Sequence, residues 1–141
     1  MNSQDAYSFI LFAICIWREA RGELYDTKVA QAWSVRNRVK NPRWWGHSWV
    51  GCILMPEQYS CFNHNDPNAA KWPTETDPAW QDCLQIASRV FPDPPLVPDP
   101  TYGATSYFDM SMDTDPPKWS YDGSNVKTVD LGRFHFYKLS T

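Results

Sequence analysis

Two glutamates lie four residues apart in the segment WREARGELYD (17–26), and these residues have the clearest potential for chemistry. Glu19 follows a run without charge, FILFAICIW (9–17), with only Arg18 between them, whereas Glu23 follows Gly22. A carboxyl group at the end of an apolar helix is partly desolvated, and desolvation raises its pKa. A carboxylic acid that keeps its proton near neutral pH can protonate a leaving oxygen. Glu19 is therefore the candidate general acid.

Both glutamates also have structural interpretations. Glu19 could form a salt bridge with Arg18, Arg21 or Lys28 on a solvated helix end. Glu23 stands near the predicted start of a second helix, where the helix dipole favours a carboxylate. We therefore expect the chemistry at Glu19 and a supporting role for Glu23 beside the bound substrate.

A cysteine and a histidine suggest a second kind of chemistry. Cys61 with a distant His135 could form the nucleophile and base of a hydrolase, although a structural role for each fits their local sequence as well. The chain has four scattered cysteines and three widely spaced histidines, without a CxxC pair. This spacing does not predict a zinc site, and we expect neither a metal nor another cofactor.

Two segments combine polar and aromatic side chains in a way that suits a carbohydrate groove. Amide and hydroxyl groups can bond to sugar hydroxyls and acetamides, while aromatic rings can stack on sugar faces. The alternative is a rim of turn residues and a plain strand. The candidate substrate-binding residues, in PEQYSCFN (56–63) and GATSYFD (103–109), are Gln58, Tyr59, Ser60, Phe62, Thr105 and Tyr107, together with Glu23.

The apolar periodicity places these residues on helices first and strands last. It predicts a central first helix capped by Ser3 and ended by Gly22, and a second helix capped by Asp26. A short helix over 48–54 and a helix that starts at Asp77 follow, whereas 55–63 is predicted to be extended. Strands are predicted within 102–110 and 133–140. The fold class is therefore α+β, mainly helical with a small antiparallel β element near the C-terminus, in a single domain over residues 1–141.

Charge and hydropathy exclude several classes of partner. The net charge is −3, so the chain offers no basic field for nucleic acid. The apolar run is too short to cross a bilayer, and no signal peptide is evident, so we expect no stable membrane insertion. The chain is expected to be a monomer that is made in the cytoplasm.

Five segments, in order, resemble motifs of the SleB/CwlJ family of bacterial cell-wall hydrolases. REARGE (18–23) is similar to the family's GEARGE, and VAQAWSVRNRVKNPRW (29–44) to its AVAAVVLNRV segment. CILMPEQYSCFN (52–63) resembles VVYQPGQFSCWN, and DPTYGATSYFD (99–109) resembles DPTGGATHYYN. The fifth match is the pair KWS (118–120) and LGRFHFYK (131–138), which resembles the family's closing W and IGNHVFY segments. Ordered motifs over most of the chain are a far more specific signal than any one of them.

The resemblance implies a lysozyme-like α+β domain that cuts the glycan strand of peptidoglycan between N-acetylmuramic acid and N-acetylglucosamine. It places the catalytic acid on Glu19 and implies a lytic transglycosylase that forms 1,6-anhydromuramic acid. Arg18 departs from the family's glycine and would lower the pKa of Glu19 unless it points away or pairs with another acid, such as Glu57. A catalytic domain without a secretion signal is similar to a phage or prophage endolysin, which is made in the host cytoplasm and acts on the wall after release. A hydrolytic muramidase, a Cys/His peptidase or amidase, and a non-catalytic wall-binding module remain alternatives.

Overall fold

The computed structural model describes residues 1–55 and 59–140, and within them four α-helices precede a small sheet. The helices are α1 (Ser3–Ala20), α2 (Tyr25–Lys40), α3 (Trp49–Leu54) and α4 (Pro78–Val90). The strands are β1 (Ser106–Asp109), β2 (Val126–Leu131) and β3 (Phe134–Lys138). This order confirms the predicted α+β class. None of the helices in the described ranges is long and apolar enough to cross a membrane.

The helices enclose the main hydrophobic core. The second half of α1 is buried almost all round, and Phe12 is fully buried between Trp49 of α3 and Phe91 at the end of α4. Trp17 also donates from its indole Nε1 to Asp77 Oδ2 over 2.9 Å, which ties the last turns of α1 to the cap of α4. The run that leads to Glu19 is thus fixed from several sides, and the last turn of α1 is held rigidly.

The sheet is antiparallel with the strand order β1-β3-β2, so β3 lies in its centre. Phe134 and Phe136 of β3 are buried against Ala30 of α2, which attaches the sheet to the helical core. Gly132 in the β2–β3 turn has a φ of +57°, and a Cβ there would lie 2.7 Å from Thr27 Oγ1 of α2. The absence of a side chain at Gly132 therefore lets the turn approach α2 and places the next residue, Arg133, near the end of α1.

The ends of α1 and α2 differ from the prediction. Asn2, and not Ser3, caps α1 by accepting from the Asp5 amide over 2.8 Å. The helix ends at Ala20 before an Arg21 that keeps a right-handed conformation, so Gly22 is not a left-handed stop. The second helix begins at Tyr25 after Leu24, which places Asp26 inside its first turn. A carboxylate there still interacts favourably with the helix dipole.

Two predictions about the segments between the helices and strands are also corrected. Ser60–Phe62 forms a 3₁₀ turn where an extended segment was expected. Strand β2 (Val126–Leu131) was not predicted, since its mostly exposed residues give little apolar alternation. By contrast, Asp77 caps α4 and Pro78 opens it, as expected. Helix α3 lies where a helix over 48–54 was predicted, with Ser48 as its cap.

Candidate active site

Residues from α1, α2, β1 and the loop after β1 line a cleft of about 630 Å³, here called the main cleft. Its volume lies in the range of small-molecule sites, and it combines aromatic rings with a few polar groups, as such sites commonly do. Its lining residues are Glu19, Arg38, Trp44, Tyr59, Thr105, Ser106, Tyr107, Phe108, Asp109, Met112, Pro117, Trp119 and Leu139.

A second, more open cleft of about 470 Å³ lies at the end of α1 and is here called the arginine cleft. It is lined by Arg18, Glu19, Ala20, Arg21, Gly22, Glu23 and Arg133. Glu19 lines both clefts. A chain-like ligand that passed through the two clefts would therefore cross the Glu19 carboxyl group.

Glu19 has the environment of a proton donor. Its carboxyl group is mostly buried at the last turn of α1, and burial is the main reason why its pKa is raised. The Cys61 thiol offsets part of this rise in pKa, while the nearby Asp66 carboxylate adds to it. The sequence predicted that the apolar run desolvates Glu19 and raises its pKa, and the upward direction of this shift is confirmed.

Arg18 does not hold the Glu19 carboxylate. Its Nε donates to the Lys71 carbonyl over 3.2 Å, and its guanidinium lies between two rings, 5.0 Å from the centroid of Phe62 and 4.7 Å from that of Trp72. Arg18 is buried in this position. Its charge is therefore directed to a carbonyl and two aromatic faces. Glu57, suggested from the sequence as its partner, lies outside the described residues.

A buried arginine supports the floor of the main cleft. Arg38 of α2 donates from Nε to the Thr105 carbonyl and from Nη2 to Ser106 Oγ over 2.6 Å. Its guanidinium lies 5.2 Å from the ring centroid of Trp45 and 5.7 Å from that of Tyr59. Arg38 thus joins α2 to β1 and to the 59–62 turn, which are separate walls of the cleft.

The predicted site residues are only partly brought together. Tyr59, Thr105 and Tyr107 line the main cleft with Glu19, and burial raises the pKa of both tyrosines, so each remains a neutral phenol. Thr105 is buried, and its Oγ1 accepts from the Leu139 amide over 3.1 Å, which gives it a structural task as well. Their roles in substrate binding stay predictions.

The other candidates lie elsewhere or outside the description. Glu23 is in the arginine cleft, where its Oε1 lies 2.7 Å from Nε of Arg133. Phe62 packs against the core and the Arg18 guanidinium. Gln58 lies outside the described residues, and Ser60 is described only as the start of a 3₁₀ turn.

The Cys61/His135 pair is not assembled as a catalytic dyad. Cys61 is buried beside the Cys15 thiol and Glu19. Both ring nitrogens of His135 are occupied, Nδ1 by Asp130 at 2.7 Å and Nε2 by Asp113 at 2.8 Å. These carboxylates raise the pKa of His135 and leave neither nitrogen free to accept a proton from a thiol.

Sequence reasoning missed several residues of the two clefts. Arg38 and Arg133 reach the site from α2 and from the β2–β3 turn, far from Glu19 along the chain. Trp119 lies in the KWS segment, and Asp109 ends β1.

In the described residues, no cluster of three or more His, Cys, Asp or Glu side chains could hold a metal ion. The expectation of a reaction without a cofactor stays a prediction.

The fold is shared with two solved structures. The catalytic domain of Bacillus cereus SleB is 27% identical with a TM-score of 0.67, and the alignment covers 98% of this chain and 93% of that one. The catalytic domain of the germination-specific lytic transglycosylase SleB from Bacillus anthracis is also 27% identical, with a TM-score of 0.65, and 97% of each chain is covered. Among curated proteins, none matches this sequence.

The likeness to these catalytic domains assigns the protein to the class of enzymes that act on the bacterial cell wall. The chain belongs to the cell wall hydrolase family, whose sequence profile matches residues 22–137. The resemblance inferred from the five motifs is therefore confirmed. The matched range begins just after Glu19, so the assignment of the acid depends on the geometry of the site.

Proposed function

We propose that this enzyme cleaves the bond between N-acetylmuramic acid and N-acetylglucosamine in peptidoglycan as a lytic transglycosylase, with Glu19 as its general acid and base. The observation that carries the proposal is the position of Glu19, a mostly buried carboxyl group with a raised pKa that lines both clefts. The likeness to a germination-specific lytic transglycosylase supports the same reaction class. Peptidoglycan is the partner that this reaction requires.

In the proposed reaction, protonated Glu19 first gives its proton to the glycosidic oxygen, which leaves with the N-acetylglucosamine part of the strand. The 2-acetamido group of the muramic acid stabilises the cation that develops at C1. Glu19, now a carboxylate, then takes the proton from the 6-hydroxyl of the same sugar as that oxygen attacks C1. The products are a 1,6-anhydromuramic end and a new N-acetylglucosamine end, and Glu19 regains its proton.

The state of Asp109 favours this route over direct hydrolysis. Common retaining and inverting glycosidases need a second carboxylate at a defined separation from the acid. Asp109 lines the main cleft, but its Oδ2 lies 3.0 Å from Arg133 Nε and its Oδ1 accepts from the Ser111 amide over 2.8 Å. These contacts lower the pKa of Asp109, so it stays ionised, but they also engage both of its oxygens. A route that uses only Glu19 does not require Asp109 to lose its contacts with Arg133 and the Ser111 amide.

Mass spectrometry of the soluble products tests the proposed chemistry. We expect digestion of purified peptidoglycan to give fragments that end in 1,6-anhydromuramic acid, because the internal 6-hydroxyl replaces water as the nucleophile. The same digest made in ¹⁸O-labelled water should contain no label at the new muramic ends.

Fragments with a reducing muramic acid that carries ¹⁸O would contradict the lytic route and indicate a hydrolytic muramidase. Asp109→Asn would then be the informative variant, because Asp109 is a carboxylate in the main cleft that could activate water. A large loss of hydrolysis in that variant would identify the second carboxylate.

We further propose, from the sequence, that the enzyme acts as a phage endolysin in host lysis. It would be made in the host cytoplasm and reach the wall after a separate protein has permeabilised the membrane. The non-catalytic wall-binding alternative predicts binding to the wall without release of fragments.

A further inference from the structure

The arginine cleft has a charge that the proposed chemistry at Glu19 does not use. It is lined by Arg18, Arg21 and Arg133, against the carboxyl groups of Glu19 and Glu23. The proposed reaction starts with Glu19 protonated, which leaves Glu23 as the negative charge in this lining. The lining thus holds three guanidinium groups against one carboxylate, and Asp109, which contacts Arg133 from outside the lining, adds a second carboxylate nearby. Guanidinium groups in excess of the carboxylates that line a cleft attract an anionic group of a ligand.

Two of these arginines, Arg21 and Arg133, make side-chain contacts within the lining of the cleft. Arg21 donates from Nη2 to Asn68 Oδ1 over 2.9 Å, and its guanidinium lies 4.6 Å from the ring centroid of Trp17. Arg133 makes its closest contacts to Glu23 and Asp109 through Nε, at 2.7 and 3.0 Å. Its side chain is 64% exposed, and its terminal nitrogens make no hydrogen bond within the described part of the chain. They can still donate to a ligand.

The type of donor indicates the type of ligand. A guanidinium group presents parallel N–H groups that match the two oxygens of a carboxylate, and it binds such groups more strongly than neutral acceptors. The sugars of the glycan strand are neutral apart from the substituent on muramic acid. That substituent is a lactyl ether that carries a short stem peptide with free carboxylates. Because muramic acid is every second sugar, a stem lies close to the cut bond in either direction of the strand.

We propose that the arginine cleft binds a carboxylate of the stem peptide, with Arg133 and Arg21 as residues that determine preference for peptide-bearing glycan. This inference rests on the proposed function, because Glu19 fixes the cut bond between the two clefts. Glu23 and Asp109 orient Arg133 toward the cleft through its Nε. Arg18 adds positive charge from its buried position between Phe62 and Trp72.

The test compares two substrates that differ only in the charge of their stems. One is purified peptidoglycan freed of teichoic polymers, and the other is the same material after carbodiimide coupling of its carboxylates to methylamine. We expect the wild-type enzyme to have a kcat/KM on the order of 3- to 30-fold higher for the untreated substrate, a range reduced by the solvent exposure of Arg133. The ratio should fall with added salt, since exposed charges are screened.

Arg133→Gln should bring this ratio close to one, and Arg133→Lys should retain part of it because it keeps the charge without the planar fork. Arg89→Gln is the matched control, since Arg89 is exposed on α4, outside both clefts, and this variant should keep the wild-type ratio. Thermal unfolding of each variant checks that it is folded. If Arg133→Gln does not fold, the substrate ratios of Arg21→Gln and Arg133→Lys are compared with that of the wild type instead.

The inference is wrong if the wild-type enzyme cleaves both substrates at equal rates, or if folded Arg133→Gln keeps the wild-type ratio. Either result leaves the proposed function intact, because both substrates are still cut. Failure of the wild-type enzyme to form new muramic ends on either substrate would instead overturn the proposed function, and this inference with it.

Discussion

Glu19→Gln is expected to lower kcat/KM for peptidoglycan by about 10²- to 10⁴-fold, which is the usual contribution of a general acid. Glutamine keeps the shape of the side chain and can still form hydrogen bonds, but it cannot transfer the proton to the leaving oxygen. The measurement is the rate at which a suspension of purified peptidoglycan clears. Binding of the variant to the same material should persist, because the two clefts keep their other lining residues.

Burial raises the pKa of Glu19, and this sets the sign of two pH effects. As an acid, Glu19 is competent when protonated, so activity should decline as pH rises through its raised pKa. The folded state also holds this proton more tightly than the unfolded state, so Glu19 lowers stability as pH rises from the ordinary glutamate pKa to the raised one. Glu19→Gln removes this effect, so we expect it to be at least as stable as the wild type at neutral pH.

Glu23→Gln is the matched control for Glu19→Gln. Its ion pair with exposed Arg133 contributes little to stability, so the variant should fold. Because Glu23 transfers no proton in the proposed reaction, we expect a loss of activity below about tenfold. If Glu19→Gln is folded and clears peptidoglycan at a near-native rate, another residue supplies the proton. A large loss of activity in Glu23→Gln alone would indicate that Glu23, in the arginine cleft, is the acid.

Arg38→Met is expected to reduce the free energy of unfolding by about 2–5 kcal/mol. Methionine fills much of the same volume but donates no hydrogen bond, so the Thr105 carbonyl and the Ser106 hydroxyl lose a charged donor in a buried setting. The contact of Arg38 with the Tyr59 ring is lost as well. Urea unfolding measures the change as a lower midpoint with an unchanged slope.

Arg89→Met is the matched control for the stability prediction. Arg89 is exposed on α4 and makes a 3.3 Å hydrogen bond to the Tyr25 hydroxyl, so its replacement should change stability by about 0.5 kcal/mol or less. A loss below about 1 kcal/mol in Arg38→Met would show that Arg38 does not hold the walls of the main cleft together.

Helices α3 and α4 could be predicted because their signals are local. Ser48 and Asp77 cap α3 and α4 through side-chain oxygens, and Pro78 occupies a first-turn position that suits it. Strand β2 escaped prediction for a physical reason. It is an edge strand with Lys127 and Asp130 pointing to solvent, so its sequence lacks the apolar alternation of a buried strand.

The raised pKa of Glu19 was predictable from the sequence, whereas most of its surroundings were not. The uncharged run before Glu19 implied that the end of α1 is buried, and burial is the main reason why the pKa of Glu19 is raised. The directions of Arg18, Arg38 and Arg133 depend on carbonyls and carboxylates from distant parts of the chain. Such contacts are set by how α2 and the β2–β3 turn pack, and no local pattern encodes them.

The central claim is that the chain cuts a muramyl glycosidic bond with Glu19, and the kind of new chain end formed tests it most directly. One digest of purified peptidoglycan is divided, with new muramic ends counted by mass spectrometry and new amino groups by an amine-reactive dye. We predict that muramic ends accumulate as turbidity falls, that amino groups stay constant, and that Glu19→Gln forms neither. Accumulation of new amino groups without muramic ends would contradict the claim and indicate a peptide-cleaving enzyme.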